Sequence, residues 1–345
     1  MEEFSTVCQN CGSDLYFNPQ KACLTCKYCG SNFYLPQTSK NAIIVRQYSN
    51  GFHPSMLNKN LNSYTCKICG KSYFMTTEGR SSRCPHCGSN ECELSNEPGL
   101  CADGVIPFKI TKQQAAEKMA EYLKTNHKIP KELKLMAQNQ QLMAVLIPVW
   151  NFSFNMYATY NAIESIVKND GYDNFYSVPN PIYGEKNKRI KSFDECATDG
   201  ESREFLKLFD EKDYAMIVPY TPEYAFGSRV EPVTKNIHDY YASIVEKTEN
   251  KFKHQITKEL LDRKNEVSNI QVDCKARDIF FNFTYVPVYV NVFKYKNKIY
   301  KLYISGVNGK VEGKTPVSIW YRIRQVLRVV GIGALLAIII KLFTK

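Results

Sequence analysis

Two sets of four cysteines carry the chemistry that this sequence suggests. In each set, two Cys-x-x-Cys pairs stand fourteen residues apart, and a glycine follows the second cysteine of every pair. Two cysteines three positions apart can direct both thiolates at one metal ion, and the spacer is long enough for a hairpin that brings the second pair to the same ion. The first set is Cys8, Cys11, Cys26 and Cys29, and the second is Cys66, Cys69, Cys84 and Cys87.

Each set predicts one structural Zn²⁺ ion, and so two per chain. Four thiolates close the coordination shell of zinc, so no position remains for water or a substrate. The glycines relieve the crowding where the backbone curls around the metal. The fold expected for each set is a zinc ribbon, a small unit of hairpins around one ion, which has little apolar core. Zinc binding, worth roughly 10–16 kcal/mol in small metal-folded peptides, would drive its folding.

Three details of the cysteine pattern allow more than one interpretation: disulfide formation, the register of the first set and the role of His86. Disulfides are disfavoured, because thirteen cysteines is an odd number and the start of the chain shows no signal-peptide pattern. Cys23 makes a Cys23/Cys26 pairing possible in the first set, in place of Cys26/Cys29. Symmetry with the second set favours Cys26/Cys29. His86 lies inside the last pair, and we expect it to be a spacer and not a ligand.

The chain is expected to hold two zinc ribbons, a larger α+β domain with an antiparallel sheet, and one C-terminal transmembrane helix. Hydrophobic residues make up 44% of the chain and charged residues 23%, which are values of a globular protein. Changes in composition place ribbon 1 at 5–37, a linker rich in Asn, Gly and Ser at 38–63, ribbon 2 at 64–94, the α+β domain at 101–313, and a tail anchor at 323–343.

The helices of the α+β domain can be predicted from caps and periodicity. Thr111 and Gln114 have the spacing of a capping box, which predicts a helix running to about residue 125. Apolar residues at steps of three and four predict a long amphipathic helix over about 233–264.

Runs of β-branched and aromatic residues predict strands, and Asn308-Gly309 predicts a hairpin. Leu-Ile-Pro-Val-Trp at 146–150 and Tyr-Val-Pro-Val-Tyr at 285–289 echo each other, so we expect equivalent strands in one antiparallel sheet. Residues 171–191 show little pattern and are expected to form a long irregular loop. The expected strands are 41–48, 105–110, 142–160, 279–292 and 298–305.

The C-terminal segment predicts a single membrane anchor. Residues 329–340 contain nothing polar beyond two glycines, and a helix over 323–343 would be about 30 Å long. Trp320 and Tyr321 stand where an interfacial aromatic belt would lie, and the N-terminal flank is the more basic one. The positive-inside rule then places the N-terminal domains in the cytoplasm. A helix lying in the membrane plane and a buried core helix remain alternatives.

Charge and missing motifs limit the classes of function. The net charge is +11, but residues 314–345 alone contribute six basic and no acidic groups, and the ribbons are nearly neutral. This disfavours nucleic-acid binding without excluding it. The five histidines are scattered, and the sequence has no His-Glu-x-x-His, no Walker loop and no Gly-x-Ser-x-Gly. We therefore expect a protein that is not an enzyme.

The sequence combines tandem ribbons with Val-Ile-Pro-Phe-Lys-Ile at 105–110, the two Pro-Val-aromatic segments and Gly-Val-Asn-Gly-Lys-Val at 306–311. This combination resembles the bacterial family called TFIIB-type zinc ribbon-containing proteins. Many of its members carry a replication-restart helicase-like label, yet this chain has no ATPase motif. Some members are similar to a zinc-ribbon protein encoded beside PspA-type and SPFH-domain membrane-stress proteins. The resemblance implies a role in holding such partners at the membrane.

Taken together, these features predict a non-enzymatic scaffold, anchored in the cell membrane by one helix, that recruits a protein partner from the cytoplasmic side. The alternative is a zinc-ribbon protein that binds nucleic acid or acts in transcription or replication. Neither the partner nor the oligomeric state follows from the sequence.

Overall fold

Three very long antiparallel strands form the centre of the protein. The computed structural model describes residues 7–35, 45–47, 61–75, 83–95, 102–138, 141–172, 174–199, 201, 203–263 and 265–327. The helices that lie wholly within these ranges are α1 (Lys112–Thr125), α2 (Lys131–Gln138), α3 (Glu211–Tyr214) and α4 (Ile237–Leu261), with short 3₁₀ turns at Arg203–Leu208 and Pro222–Ala225. The strands are β1 (Leu15–Asn18), β2 (Cys23–Cys26), β3 (Asn32–Tyr34), β4 (Arg46–Gln47), β5 (Asn62–Cys66), β6 (Ser72–Met75), β7 (Cys92–Ser95), β8 (Gly104–Val105), β9 (Met143–Asn169), β10 (Phe175–Cys196), β11 (Val218–Pro219), β12 (Arg229–Val230), β13 (Val267–Tyr295), β14 (Lys298–Ser305) and β15 (Val311–Glu312).

The central sheet is buried on both faces around residues 143–152 of β9, and we call this part the base. Strand β9 pairs antiparallel with β10 on one side and with β13 on the other. Alternate residues of β9 enter two different cores. Trp150 and its neighbours on that face pack under α1, α2 and α4, whereas Val149 and its neighbours pack under the Arg203–Leu208 turn. Burial on both faces explains why this part of β9 is an almost continuous apolar run.

The two Pro-Val-aromatic segments lie side by side in this sheet. Pro148 is paired with Tyr285, and Leu146 with Pro287, in the antiparallel register of β9 and β13. The two segments are therefore paired strands of one antiparallel sheet, as predicted. Strand β14 follows β13 with the bounds predicted for it, and β15 closes the hairpin after Gly309.

Beyond the base, the three strands continue as an arm that is covered on one face only. Helix α4 packs on β13 and β9, and its polar edge contacts β10, where Lys186 and Lys188 bond to Glu259 and Gln255. The opposite face of the arm is polar and largely open to solvent, as at Tyr183. The arm therefore has the alternating pattern of a sheet with one wet face.

The prediction of an irregular loop at 171–191 was wrong, because most of that range belongs to β10. Pro179 and Pro181 obscure this strand in the sequence, since proline is normally excluded from the middle of a sheet. Strand β10 pairs only with β9 among the described residues, so the prolines lie on an edge strand where a missing N–H is tolerated. Polar residues on its solvent face hid the period of two.

Other helix and strand boundaries differ from the predicted ones because of local hydrogen bonds. The capping box of α1 is present with both of its hydrogen bonds, as predicted. Helix α4 begins later than residue 233, because the side chain of Asn236 accepts from His238 N and caps it there. In the range 105–110 only Val105 is in a strand, and the N–H groups of Lys109 and Ile110 both donate to Gly306 O instead. Of the strand expected at 41–48, only 45–47 is described, and it contains β4.

Both cysteine hairpins are attached to the body through residues 222–231, which we call the ledge. Phe17 N donates to Phe226 O at 3.0 Å, and the Phe17 ring lies 5.3 Å from the ring of Tyr224. On the other side, β6 pairs with β12, which in turn pairs with β9, so the second hairpin continues the central sheet. The ribbons are thus packed parts of the fold.

The C-terminal end of the described chain is helical from residue 319 to residue 327. Within the described ranges, no helix combines the length and the apolar character that a membrane span requires. Most of the anchor predicted at 323–343 lies outside the described residues.

The cap of α1 gives a direct test of local stability. Thr111→Ala removes the oxygen that accepts from Gln114 N, so we expect the free energy of unfolding to fall by about 1 kcal/mol. Denaturant titration of the full-length protein measures it. Gln113→Ala on the exposed face of the same turn should change little, and an equal loss in both variants would contradict the cap.

Candidate metal centres

Each set of four cysteines converges on one point. Sγ atoms lie 3.6 Å apart for Cys8 and Cys29 and 3.5 Å apart for Cys11 and Cys26. In the second set the corresponding separations are 3.6 Å for Cys66 and Cys87 and 3.7 Å for Cys69 and Cys84. Four sulfurs at about 2.3 Å from a tetrahedral ion lie about 3.8 Å from one another. All four sulfurs of each set lie within 4.8 Å of one another, so each set can hold one metal ion.

Each Cys-x-x-Cys pair forms a tight turn around the metal position, which we call a knuckle. The glycine after its second cysteine has the conformation that this turn requires. Gly30 has φ +73° and Gly70 has φ +69°, in the left-handed region that other residues rarely adopt. A Cβ at either position would meet no atom within 4 Å, so the requirement is conformational and not one of space. Each glycine N–H donates to the carbonyl of the first cysteine of its pair, Cys26 or Cys66, which closes the loop around the site.

Polar groups around Cys29 and Cys66 favour the thiolate form, which is the form that binds a metal. The Ser31 hydroxyl lies 3.1 Å from Cys29 Sγ and, together with the backbone N–H, lowers the pKa of that thiol to about 6. Burial alone would raise the pKa of Cys66, but the N–H groups of Cys69 and Ile68 outweigh it and bring the pKa to about 7. Cys29 and Cys66 are therefore prepared to lose their protons to a metal, whereas burial raises the pKa of Cys87 to about 11.

The structure decides between the two registers of the first set. Cys26 and Cys29 belong to the cluster, and Cys23 does not. The sulfur of Cys23 is fully buried and bonds to Asn32 Oδ1 at 3.7 Å. Strand β2 carries both Cys23 and Cys26, and the chain turns into the knuckle only after Cys26, which is why the upstream cysteine points away from the site.

His86 stays outside the thiolate cluster, but it is more than a spacer. Its side chain is 4% exposed and lies between two carboxylates that are 0% exposed. Nδ1 is 3.7 Å from Glu201 Oε1, and Nε2 is 3.3 Å from Glu231 Oε2. Burial raises the pKa of Glu231 well above its usual range, and the nearby Glu201 raises it further. Sequence reasoning missed this group, because its three members come from distant parts of the chain with no spacing signal.

One pocket of about 410 Å³ is lined by several titratable groups, between the end of β10 and the start of α4. Four of its five charged side chains form two ion pairs. Arg203 Nη2 lies 2.5 Å from Glu195 Oε2, and Lys235 Nζ lies 3.5 Å from Asp199 Oδ1. The partners of each ion pair neutralise each other's charge, and neither pair consists of a nucleophile beside an activating base.

Comparison of the chain with protein-family models, with curated proteins and with solved structures finds no match in any of the three. The class that the structure itself defines is a mixed α+β protein with antiparallel sheets and two four-cysteine metal sites. The resemblance to ribbon-containing proteins remains an expectation.

Two neighbouring cysteines of β2 offer a matched test of the first site. Cys26→Ser removes a ligand, and we expect the purified protein to lose about one metal ion per chain, because three thiolates hold the ion far less tightly. Cys23→Ser keeps a hydroxyl near Asn32 and should retain the wild-type metal content. Metal analysis by mass spectrometry measures both, and metal loss on changing Cys23 alone would show that the register is wrong.

Proposed function

We propose that this protein is a non-enzymatic scaffold, held at the membrane by its C-terminal segment, whose two ribbons each bind one structural Zn²⁺ and present a docking surface to a protein partner. The observation that carries the proposal is the closure of both metal sites. Four cysteine sulfurs surround each site, so a tetrahedral ion has no position left for a substrate.

Zinc is the metal that this donor set favours. Four thiolates in a tetrahedral arrangement suit Zn²⁺ or an iron–sulfur centre, and the spacing of two hairpin knuckles is that of a zinc ribbon. Sulfur separations of 3.5–3.7 Å fit a single ion. Reduced cysteines of this kind agree with a cytoplasmic position for the ribbons.

Exposed apolar side chains on the second ribbon support the docking role. Ile68, inside the Cys66–Cys69 knuckle, is 60% exposed, and Leu94 of β7 is 62% exposed. Neither residue is needed to fill the ribbon, since Tyr64 and Tyr73 stack in its interior at 5.7 Å. Rigidly held apolar side chains at a surface are typical of protein-binding sites.

The start of the C-terminal helix supports attachment to a membrane. Its exposed apolar side chains recur at steps of three and four residues and form one stripe, which includes Trp320 with 79% exposure and Leu327 with 65%. Arg322 and Arg324 flank this stripe. An exposed apolar stripe with arginines beside it is unfavourable in water and suits an interface with lipid. Lys128, which lies 6.0 Å from the Tyr321 ring, connects this helix to the body.

Deleting residues 326–345 tests the anchor. The truncated protein should move from the membrane pellet to the soluble fraction, because it loses the apolar segment but keeps the folded body. Alkaline carbonate extraction of the full-length protein provides the control on mode of attachment, since a spanning helix resists extraction and an in-plane helix does not. Continued pelleting of the truncated form would contradict the proposal.

A partner is best sought by affinity purification of the full-length protein from gently solubilised membranes. Ile68→Ser combined with Leu94→Ser should reduce partner recovery roughly tenfold, the effect of losing about 1.4 kcal/mol of binding, while both zinc ions are retained. Leu135→Ser, an equally exposed apolar residue on α2, serves as the matched control.

The resemblance leads us to expect an SPFH-domain or PspA-type membrane-stress protein among the recovered partners. Equal recovery with all three proteins would exclude the ribbon surface as the docking site.

A second candidate function, nucleic-acid binding, has one observation in its favour. A cavity of about 540 Å³ between ribbon 2 and α1 is lined by Arg83, Lys112 and Arg229, and none of its lining residues is acidic. The two arginines lower the pKa of Lys112, in addition to the effect of its burial. A phosphate would fit these charges, but one pocket is not the basic track that a nucleic acid follows. Recovery of nucleic acid in the purification would favour this candidate.

A further inference from the structure

A second kind of metal-ligand set lies against ribbon 2. His86 comes from the last cysteine knuckle, Ser72 from β6, Glu201 from the segment after β10, and Glu231 from the end of the ledge, directly after β12. One ligand atom from each of His86, Glu201 and Glu231 can be chosen so that all three lie within 4.8 Å of one another. The group therefore joins the ribbon to two separate parts of the body.

Glu231 is the member that the protein alone leaves unsatisfied. Its side chain is 0% exposed, and within the described part of the chain neither carboxylate oxygen accepts a hydrogen bond. An ionised carboxylate without hydrogen bonds in a protein interior is expensive, and such groups usually mark an ion or a water. His86 Nε2 lies 3.3 Å from Glu231 Oε2.

The distances around Nε2 are those of ligands on a shared ion. Nε2 is 3.3 Å from Glu231 Oε2 and 3.4 Å from the carbonyl oxygen of Ser72. Two ligand atoms at about 2.0–2.1 Å from a tetrahedral zinc ion lie about 3.4 Å apart. Both separations match an edge of that tetrahedron, although Glu231 and Ser72 approach from different elements.

Glu201 completes the arrangement on the other side of the imidazole ring. It lies 3.7 Å from Nδ1, and its own oxygens accept from Lys301 Nζ and Tyr303 Oη, each at 2.5 Å. A metal-bound histidine normally directs its second ring nitrogen at a carboxylate, which fixes the ring and the tautomer. Glu201 is placed to do this and is itself held in position.

An imidazolium between two carboxylates is the rival arrangement. With Lys301 it would balance the charges of Glu201 and Glu231. It does not explain the geometry, because the hydrogen bond of Nε2 goes to Ser72 O and the oxygens of Glu231 receive none. A cation at Nε2 would satisfy Glu231 and Ser72 together.

We propose that His86 Nε2, Glu231 and the Ser72 carbonyl bind a third divalent transition-metal ion, with Glu201 orienting the imidazole. The mixed nitrogen and oxygen donor set suits Zn²⁺ and distinguishes the site from the two thiolate sites. The ion would fasten ribbon 2 to the ledge and to the segment after β10. The site is independent of the proposed scaffold role.

The metal content of the full-length protein tests this site. After loading with Zn²⁺ and removal of loosely bound metal, the wild type should contain three zinc ions per chain. Glu231→Gln, which keeps the shape of the side chain, should contain two, and so should His86→Asn. Glu223→Gln, a change to another carboxylate of the ledge, should contain three.

Cobalt substitution identifies which site has been lost. Cobalt bound to four thiolates gives intense sulfur-to-metal charge-transfer bands, and these should be the same in the wild type and in Glu231→Gln. The difference spectrum should contain only weak ligand-field bands. Two zinc ions in the wild type, or a third ion that survives both Glu231→Gln and His86→Asn, would overturn the proposal.

Discussion

The convergence of four cysteine sulfurs on one point in each ribbon is the constraint on which the N-terminal part of this structure depends. Each ribbon consists of three short strands and buries only a few apolar side chains of its own, such as Leu24 in the first and Tyr73 in the second. Small domains of this size cannot offset the entropy of folding with apolar burial alone. Four metal–sulfur bonds would fix each hairpin pair, and a hairpin fixed in this way can offer an ordered edge to the rest of the protein.

The ledge converts two metal-fixed hairpins into parts of one fold. Residues 222–231 bond to ribbon 1 through Phe226 and extend the central sheet into ribbon 2 through β12. Glu231 at the end of the ledge lies beside His86 of the second knuckle. Metal binding, ribbon packing and the central sheet therefore support one another, and the exposed apolar side chains of ribbon 2 gain a rigid base.

Sequence reasoning succeeded where the signal is local. The grouping of eight cysteines into two clusters, the capping box at Thr111 and the strand Lys298–Ser305 all depend on residues close together in the chain. It failed where distant residues decide the structure. Strand β10 carries prolines and is recognisable only by its pairing with β9, and the contact of His86 with Glu201 and Glu231 joins segments more than a hundred residues apart. No periodicity reports such a contact, because it is created by packing.

The central claim is that the metal sites hold together more than the ribbons. Hydrogen–deuterium exchange of the full-length protein, with and without removal of metal by a chelator, tests it most directly. We expect metal removal to increase exchange in the ribbons and also in the ledge and in β12, while the middle of β9 stays protected. Increased exchange confined to residues 7–35 and 61–95, with an unchanged ledge, would contradict the account and show that the ribbons are independent appendages.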